Sequence, residues 1–116
     1  MALSWQVDKK RQRQLLRELR RIVRLCPLLG FKQLFVCGSL ARGEVTASSD
    51  LDLVAVQATD LPFLARLDSF YAVVKPRVAV DILIYTPQEM ETLRRDRAFI
   101  QRILEEARLV YEETPY

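Results

Sequence analysis

Apolar positions recur every three or four residues along DKKRQRQLLRELRRIVRLC (8–26), where Leu15, Leu16, Leu19, Ile22, Val23 and Cys26 form one stripe. That spacing predicts an amphipathic helix. Asp8 is placed to cap its start, and Pro27 with Gly30 should end it. The arginines Arg13, Arg17, Arg20, Arg21 and Arg24 fall on the opposite face, most simply a solvated one, with contact to an acidic partner or RNA as the second reading. The pattern then changes. Short apolar runs at 32–37, Leu51–Val56 and Val78–Tyr85 predict three strands, the last rich in β-branched residues. Between them a short helix should begin at Ser39, and a longer one should span 60–74 with Asp60 as cap. Thr86-Pro87-Gln88-Glu89 carries the signs of a helix start, with a cap, a proline at the first position and a glutamate three residues on. Helix should follow to about Arg95 and again from Asp96 to about Ala107, and RLVYE (108–112) reads either as the end of that helix or as a short edge strand, the strand being the preferred reading.

The order α-β-α-β-α-β-α predicts an α/β (α+β) fold, a small mixed sheet with helices packed against it. At 116 residues this is one domain, 1–116, made of a basic N-terminal helix (1–30) and a core (31–112). No apolar run approaches the ~20 residues of a membrane span. The N-terminal stretch lacks the apolar centre of a signal peptide, so the expected location is the cytoplasm.

Composition narrows the chemistry. There is no histidine, and Cys26 and Cys37 are the only cysteines. The usual zinc spacings, a Cys-His or Ser-His pair and imidazole acid–base catalysis are therefore excluded. Any metal would be held by carboxylate oxygen, as Mg²⁺ or Mn²⁺ is. The net charge of +3 is unevenly spread: residues 1–30 carry eight Lys/Arg against two acids (+6), and 31–116 carry ten against thirteen (−3). No aromatic platform accompanies the arginines, so nucleic acid is not an expected partner. A membrane is not expected either.

The chemistry gathers in LFVCGSLARGEVTASSDLDLVAV (34–56). Alternate residues of a strand share a face, so Asp50 and Asp52 should project together while Leu51 and Leu53 point the other way. If the third strand lies beside the second, Asp81 joins that face. Three carboxylates there would repel unless a cation lay among them. The Gly38-Ser39 turn into a helix offers unpaired amides to a phosphate, and glycine lets that phosphate approach the backbone. Ser39 is placed to cap the helix or bond a phosphate oxygen. Arg42 is placed to reach a phosphate or pair with Glu44 or Asp50, and Ser49 to order the loop before Asp50.

Gly38-Ser39, ten intervening residues, Asp50-Leu51-Asp52 and then Asp81 resemble the signature of the DNA polymerase β-like nucleotidyltransferase superfamily. GSLARGEVTASSDLDLVAV is similar to its smallest branch, the minimal nucleotidyltransferases. The resemblance implies the nucleotidyltransferase fold, Asp50, Asp52 and Asp81 as catalytic carboxylates holding Mg²⁺ or Mn²⁺, and Asp81 helping to activate the acceptor hydroxyl. It implies ATP as substrate, with the triphosphate held by Gly38 and Ser39, and Arg42 and Ser49 adjoining. It also implies a separately encoded helical HEPN-domain partner, with this chain as the antitoxin transferring AMP to a hydroxyl of that partner. Cys37 replaces the aromatic that often precedes the Gly-Ser, and Ala107 stands where relatives often have glycine. Two alternatives stay open: a binding module that neutralises such a partner by contact alone, and a small-molecule nucleotidyltransferase.

Overall fold

The computed structural model describes residues 6–114, so the first five residues, to which the reading of the N-terminus extends, lie outside the described part. Helix α1 (Lys9–Leu29) begins at Asp8, whose carboxylate accepts from the Arg11 amide at 2.8 Å. It runs through Pro27 rather than stopping there. Proline removes one amide and crowds the preceding turn, but the helix needs only two further residues, and Gly30, with φ of +72°, closes it by donating to the Cys26 and Pro27 carbonyls. Strand β1 (Phe31–Cys37) follows, then α2 (Gly38–Arg42), β2 (Leu51–Gln57), α3 (Phe63–Val74), β3 (Val80–Tyr85), α4 (Pro87–Leu93), α5 (Arg97–Phe99) and β4 (Arg108–Glu112). α5 passes into a π-helical turn over Ile100–Leu104, where the sequence predicts unbroken α-helix to Ala107. α3 is capped by Pro62 and not by Asp60, because Leu61, the residue before the proline, is held out of the helical region and the helix cannot reach back to Asp60. Thr86 and Glu89 form the expected reciprocal capping box.

The four strands lie in the order β3-β2-β1-β4, with β2 and β3 parallel and the other two pairs antiparallel. The mixed α/β class is as predicted, and β4 is the edge strand expected of RLVYE. One face, carrying Leu34, Val36, Leu51, Leu53, Ile82 and Ile84, packs under α1 and α3. The other carries Cys37, Val54 and Val56 beneath Met90 and Phe99. Among the described residues no helix is long and apolar enough to cross a membrane.

Two buried charges tie the layers together. Glu18 is 3% exposed; it accepts two bonds from Arg21 (2.7 and 3.0 Å) and one from the Arg77 amide. Arg21 therefore belongs to a structural pair, not to a merely solvated face. Arg66 is 6% exposed; it makes a forked contact with Glu89 (2.6 and 3.2 Å) and donates to the Ile84 carbonyl at 3.1 Å. The Tyr71 hydroxyl donates to the Val80 carbonyl. Arg66 and Tyr71 thus occupy carbonyls on the outer edge of β3, which blunts an edge that would otherwise invite another strand.

Candidate active site

The candidate site is assembled by register. Cys37 at the end of β1 faces Asp52 on β2 across the antiparallel pair, and Asp52 faces Asp81 on β3 across the parallel pair. Leu51, Leu53, Val80 and Ile82 point into the opposite core, so the alternation of the strands delivers both aspartates to one face. Gly38, the next residue after Cys37, has φ of +65°, and a Cβ built there would lie 2.1 Å from Oδ2 of Asp52. The turn and the carboxylate are fitted against each other with no room for a side chain.

A cleft of about 550 Å³ opens over this junction. Of the residues singled out in the sequence, Gly38, Asp52 and Asp81 line it; Asp50, Ser39, Arg42 and Ser49 do not. Its remaining wall includes Tyr71 from α3 and Arg102 and Glu106 from the π turn and its end, which the sequence reading missed. Arg102 and Glu106 stand four apart, the spacing of one helical face, but nothing in the sequence says that this face overlooks a pair of aspartates. Ser39 is not the helix cap. Cys37 occupies that position and offers no side-chain bond, so no side chain caps the first turn of α2. Arg42 pairs with Glu44 (3.1 Å) and, across the fold, with Glu106 (3.0 Å). The Ser49 hydroxyl accepts from the Thr46 amide at 2.8 Å, ordering the loop as expected.

The electrostatics follow from this placement. Burial pushes the Asp52 carboxyl above the ordinary carboxylate range, and the charges of Asp81 and then Asp50 push it further, with Arg42 opposing. Among the described residues Asp52 makes neither an ion pair nor a hydrogen bond. Burial, then the charge of Asp81, also raises the Tyr71 phenol, and burial pushes the thiol of Cys37, packed with Val54 and Val56, up to about 11. The three-way meeting of carboxylates predicted from the sequence is not fully formed: among the described residues no three such groups close on one point that could hold an ion. Asp50 precedes β2 and is not fixed by the ladder, whereas Asp52 and Asp81 are. The donor chemistry nevertheless fits a hard divalent cation: carboxylate oxygens, and among the described residues none of Asp50, Asp52 and Asp81 is committed to an ion pair.

A sheet whose antiparallel turn and parallel neighbour set a glycine against two in-register carboxylates is the frame of a nucleotidyl-transferring domain. The nucleotidyltransferase domain family matches residues 13–113, and the chain belongs to that family. A Sulfolobus solfataricus protein assigned to the nucleotidyltransferases, solved by crystallography, is similar over 87% of this chain and 86% of its own, with 18% identity and a TM-score of 0.56. Two crystal structures of the toxin–antitoxin MntA-HpeT, in mutant form, are similar over 83% and 82% of this chain and 73% of theirs. Their identities are 16% and 12% and their TM-scores 0.51 and 0.50. At these identities the likeness is one of fold. No curated protein matches the chain.

Proposed function

We propose that the chain transfers a nucleoside monophosphate, AMP from ATP, to a hydroxyl of a partner protein, as the antitoxin of a toxin–antitoxin pair. The observation that carries this reading is the placement of Asp52 and Asp81 side by side in register, with Gly38 closed against Asp52. Asp52 and Asp81, with Asp50 alongside, would hold Mg²⁺ or Mn²⁺, which when bound would offset the carboxylate repulsion and the charge of the triphosphate. The chain's own residues do the rest. The bare Gly38 backbone and the first-turn amides of α2 receive phosphate oxygens. Asp81, the more exposed aspartate, takes the proton of the acceptor hydroxyl. Arg102, which lines the same cleft, would meet the charge that develops on the leaving pyrophosphate. The partner is proposed to be a helical HEPN-domain protein, on the strength of the sequence resemblance and the fold shared with MntA-HpeT chains. The site is proposed to work in the cytoplasm.

The test is transfer of label. Incubated with Mg²⁺, ATP and host lysate, the parent protein should label one acceptor from α-labelled ATP and none from γ-labelled ATP. Asp52→Asn and Asp81→Asn should each lose at least ~100-fold of that signal, the scale on which a single group acting in general acid–base or charge stabilisation contributes. Equal labelling by parent and variants would remove the assigned roles. The contact-only antitoxin gains from the incomplete three-carboxylate set; it predicts no labelling at all, with partner binding unchanged in both variants.

A further inference from the structure

The basic character of the N-terminal segment is not spent on the candidate active site. Folding gathers it instead with a residue from far along the chain. A groove of about 500 Å³ runs beside α1, lined by Arg11, Arg17, Arg21, Arg24 and Arg77 with Glu18 at its base. Five guanidinium groups against one carboxylate give +4 in one groove, more than the +3 of the whole chain. It shares no lining residue with the carboxylate cleft.

The groove has a fixed base and a free rim. Glu18 holds both Arg21 and the Arg77 amide, and Arg21 also donates to the Val74 carbonyl at 3.0 Å. The Arg11 guanidinium donates to the Ser49 carbonyl at 2.9 Å, the residue before Asp50. By contrast Arg17, Arg24 and Arg77 are exposed, and among the described residues their guanidinium groups enter no ion pair or hydrogen bond. Holding three like charges uncommitted around a built base gains the fold nothing. It does suit an anion that several forks can share. Among the described residues the only apolar one lining the groove is Val78, which leaves little there to anchor an apolar side chain of a protein segment. Among the described residues no aromatic ring lines it for bases to stack on.

We infer that this groove is a second anion site, taking the phosphate groups of a ligand through Arg17, Arg24 and Arg77. Such groups come from a free polyphosphate or from the phosphodiester backbone of a duplex, which is read by charge and not by base. The experiment follows binding of fluorescein-labelled 20-base-pair duplex, and of sodium tripolyphosphate by calorimetry, with EDTA present, between 50 and 200 mM salt. Parent and Asp52→Asn should bind alike, which separates this site from the cleft. Arg17→Glu/Arg24→Glu/Arg77→Glu should weaken binding at least ~10-fold at 50 mM salt. For the duplex, the slope of log affinity against log salt should become shallower by about 2–3, near 0.9 for each phosphate no longer neutralised. If that triple variant does not fold, the single Arg17→Gln and Arg24→Gln variants should each lower the slope by about 1. Binding of tripolyphosphate alone identifies a free ligand, and binding of the duplex identifies a backbone; either supports the site. Unchanged binding in the variants, no binding of either probe, or equal affinity for hexaglutamate overturns it.

Discussion

Replacing Gly38 by alanine tests the fit between turn and carboxylate. The three glycines of the chain share a left-handed backbone, with φ of +72° at Gly30, +65° at Gly38 and +71° at Gly43, so any alanine there costs about 1–2 kcal/mol. Only at Gly38 does the new Cβ also meet something. It would sit 2.1 Å from Oδ2, 3.0 Å from Cγ and 3.2 Å from Cβ of Asp52, whereas nothing lies within 4 Å at Gly30 or Gly43. The carboxylate must leave its place, and forcing its side chain off rotamer adds roughly 0.5–1.5 kcal/mol. Gly43→Ala should therefore lose about 1–2 kcal/mol, and Gly38→Ala about 1.5–3.5 kcal/mol. For a chain of this size each kcal/mol is worth about 3–6 °C in melting temperature. In urea titrations the excess cost at Gly38 should largely vanish in an Asp52→Ala background, because the two nearest atoms, Oδ2 and Cγ, are gone and only Cβ remains; a double-mutant cycle reads this coupling directly. Transfer activity should fall sharply in Gly38→Ala and persist in Gly43→Ala. If the two alanine variants match in both stability and activity, the turn does not position Asp52.

Two further outcomes follow from the charges. Asp52→Asn should be more stable than the parent at pH 7. The folded state raises this carboxyl's pKa, so it binds the proton more tightly than the unfolded chain and stability falls as pH rises through the window above the ordinary value of 3.8. The advantage of the variant should shrink as the pH is lowered through that window, where the parent's own carboxyl becomes neutral; a destabilised variant, or a gap independent of pH, would contradict this. Arg66→Leu should lose about 2–4 kcal/mol in urea melts, since it strands the Ile84 and Leu61 carbonyls and one side of the Glu89 pair. A loss below about 1 kcal/mol would show that the edge of β3 does not depend on it.

The sequence made the chemistry of β2 and β3 legible because strand alternation is a local rule: once Leu51, Leu53, Val80 and Ile82 are assigned to a core, Asp52 and Asp81 have only one face left. The caps at Asp8 and Thr86 were legible for the same reason, whereas Asp60 and Ser39 are cap-like residues at positions the structure does not use as caps. What stayed hidden depends on partners distant along the chain. Glu18 bonds the amide of Arg77, 59 residues away, and Arg66 meets Glu89, 23 residues away; nothing local distinguishes either from a surface charge. Tyr71 and Glu106 enter the cleft only because α3 and the π turn are packed where they are. Pro27 has the look of a stop, but its position in a last turn that Gly30 completes overrides that signal.

Asp52 and Asp81, closed against Gly38, are proposed to form a site for a metal-bound nucleoside triphosphate. Thermal melting with Mg²⁺ and ATP at a hundred times the dissociation constant measures it most directly, since binding there should add about 2.7 kcal/mol, or roughly 8–16 °C at this chain length. With the arginine groove weakened by Arg17→Gln/Arg24→Gln, the otherwise parent chain should show that rise, and adding Asp52→Asn or Asp81→Asn should leave less than about a third of it. An equal rise with and without the aspartate substitutions, or none in the otherwise parent chain at millimolar Mg²⁺ and ATP, would place the nucleotide elsewhere or nowhere on this protein.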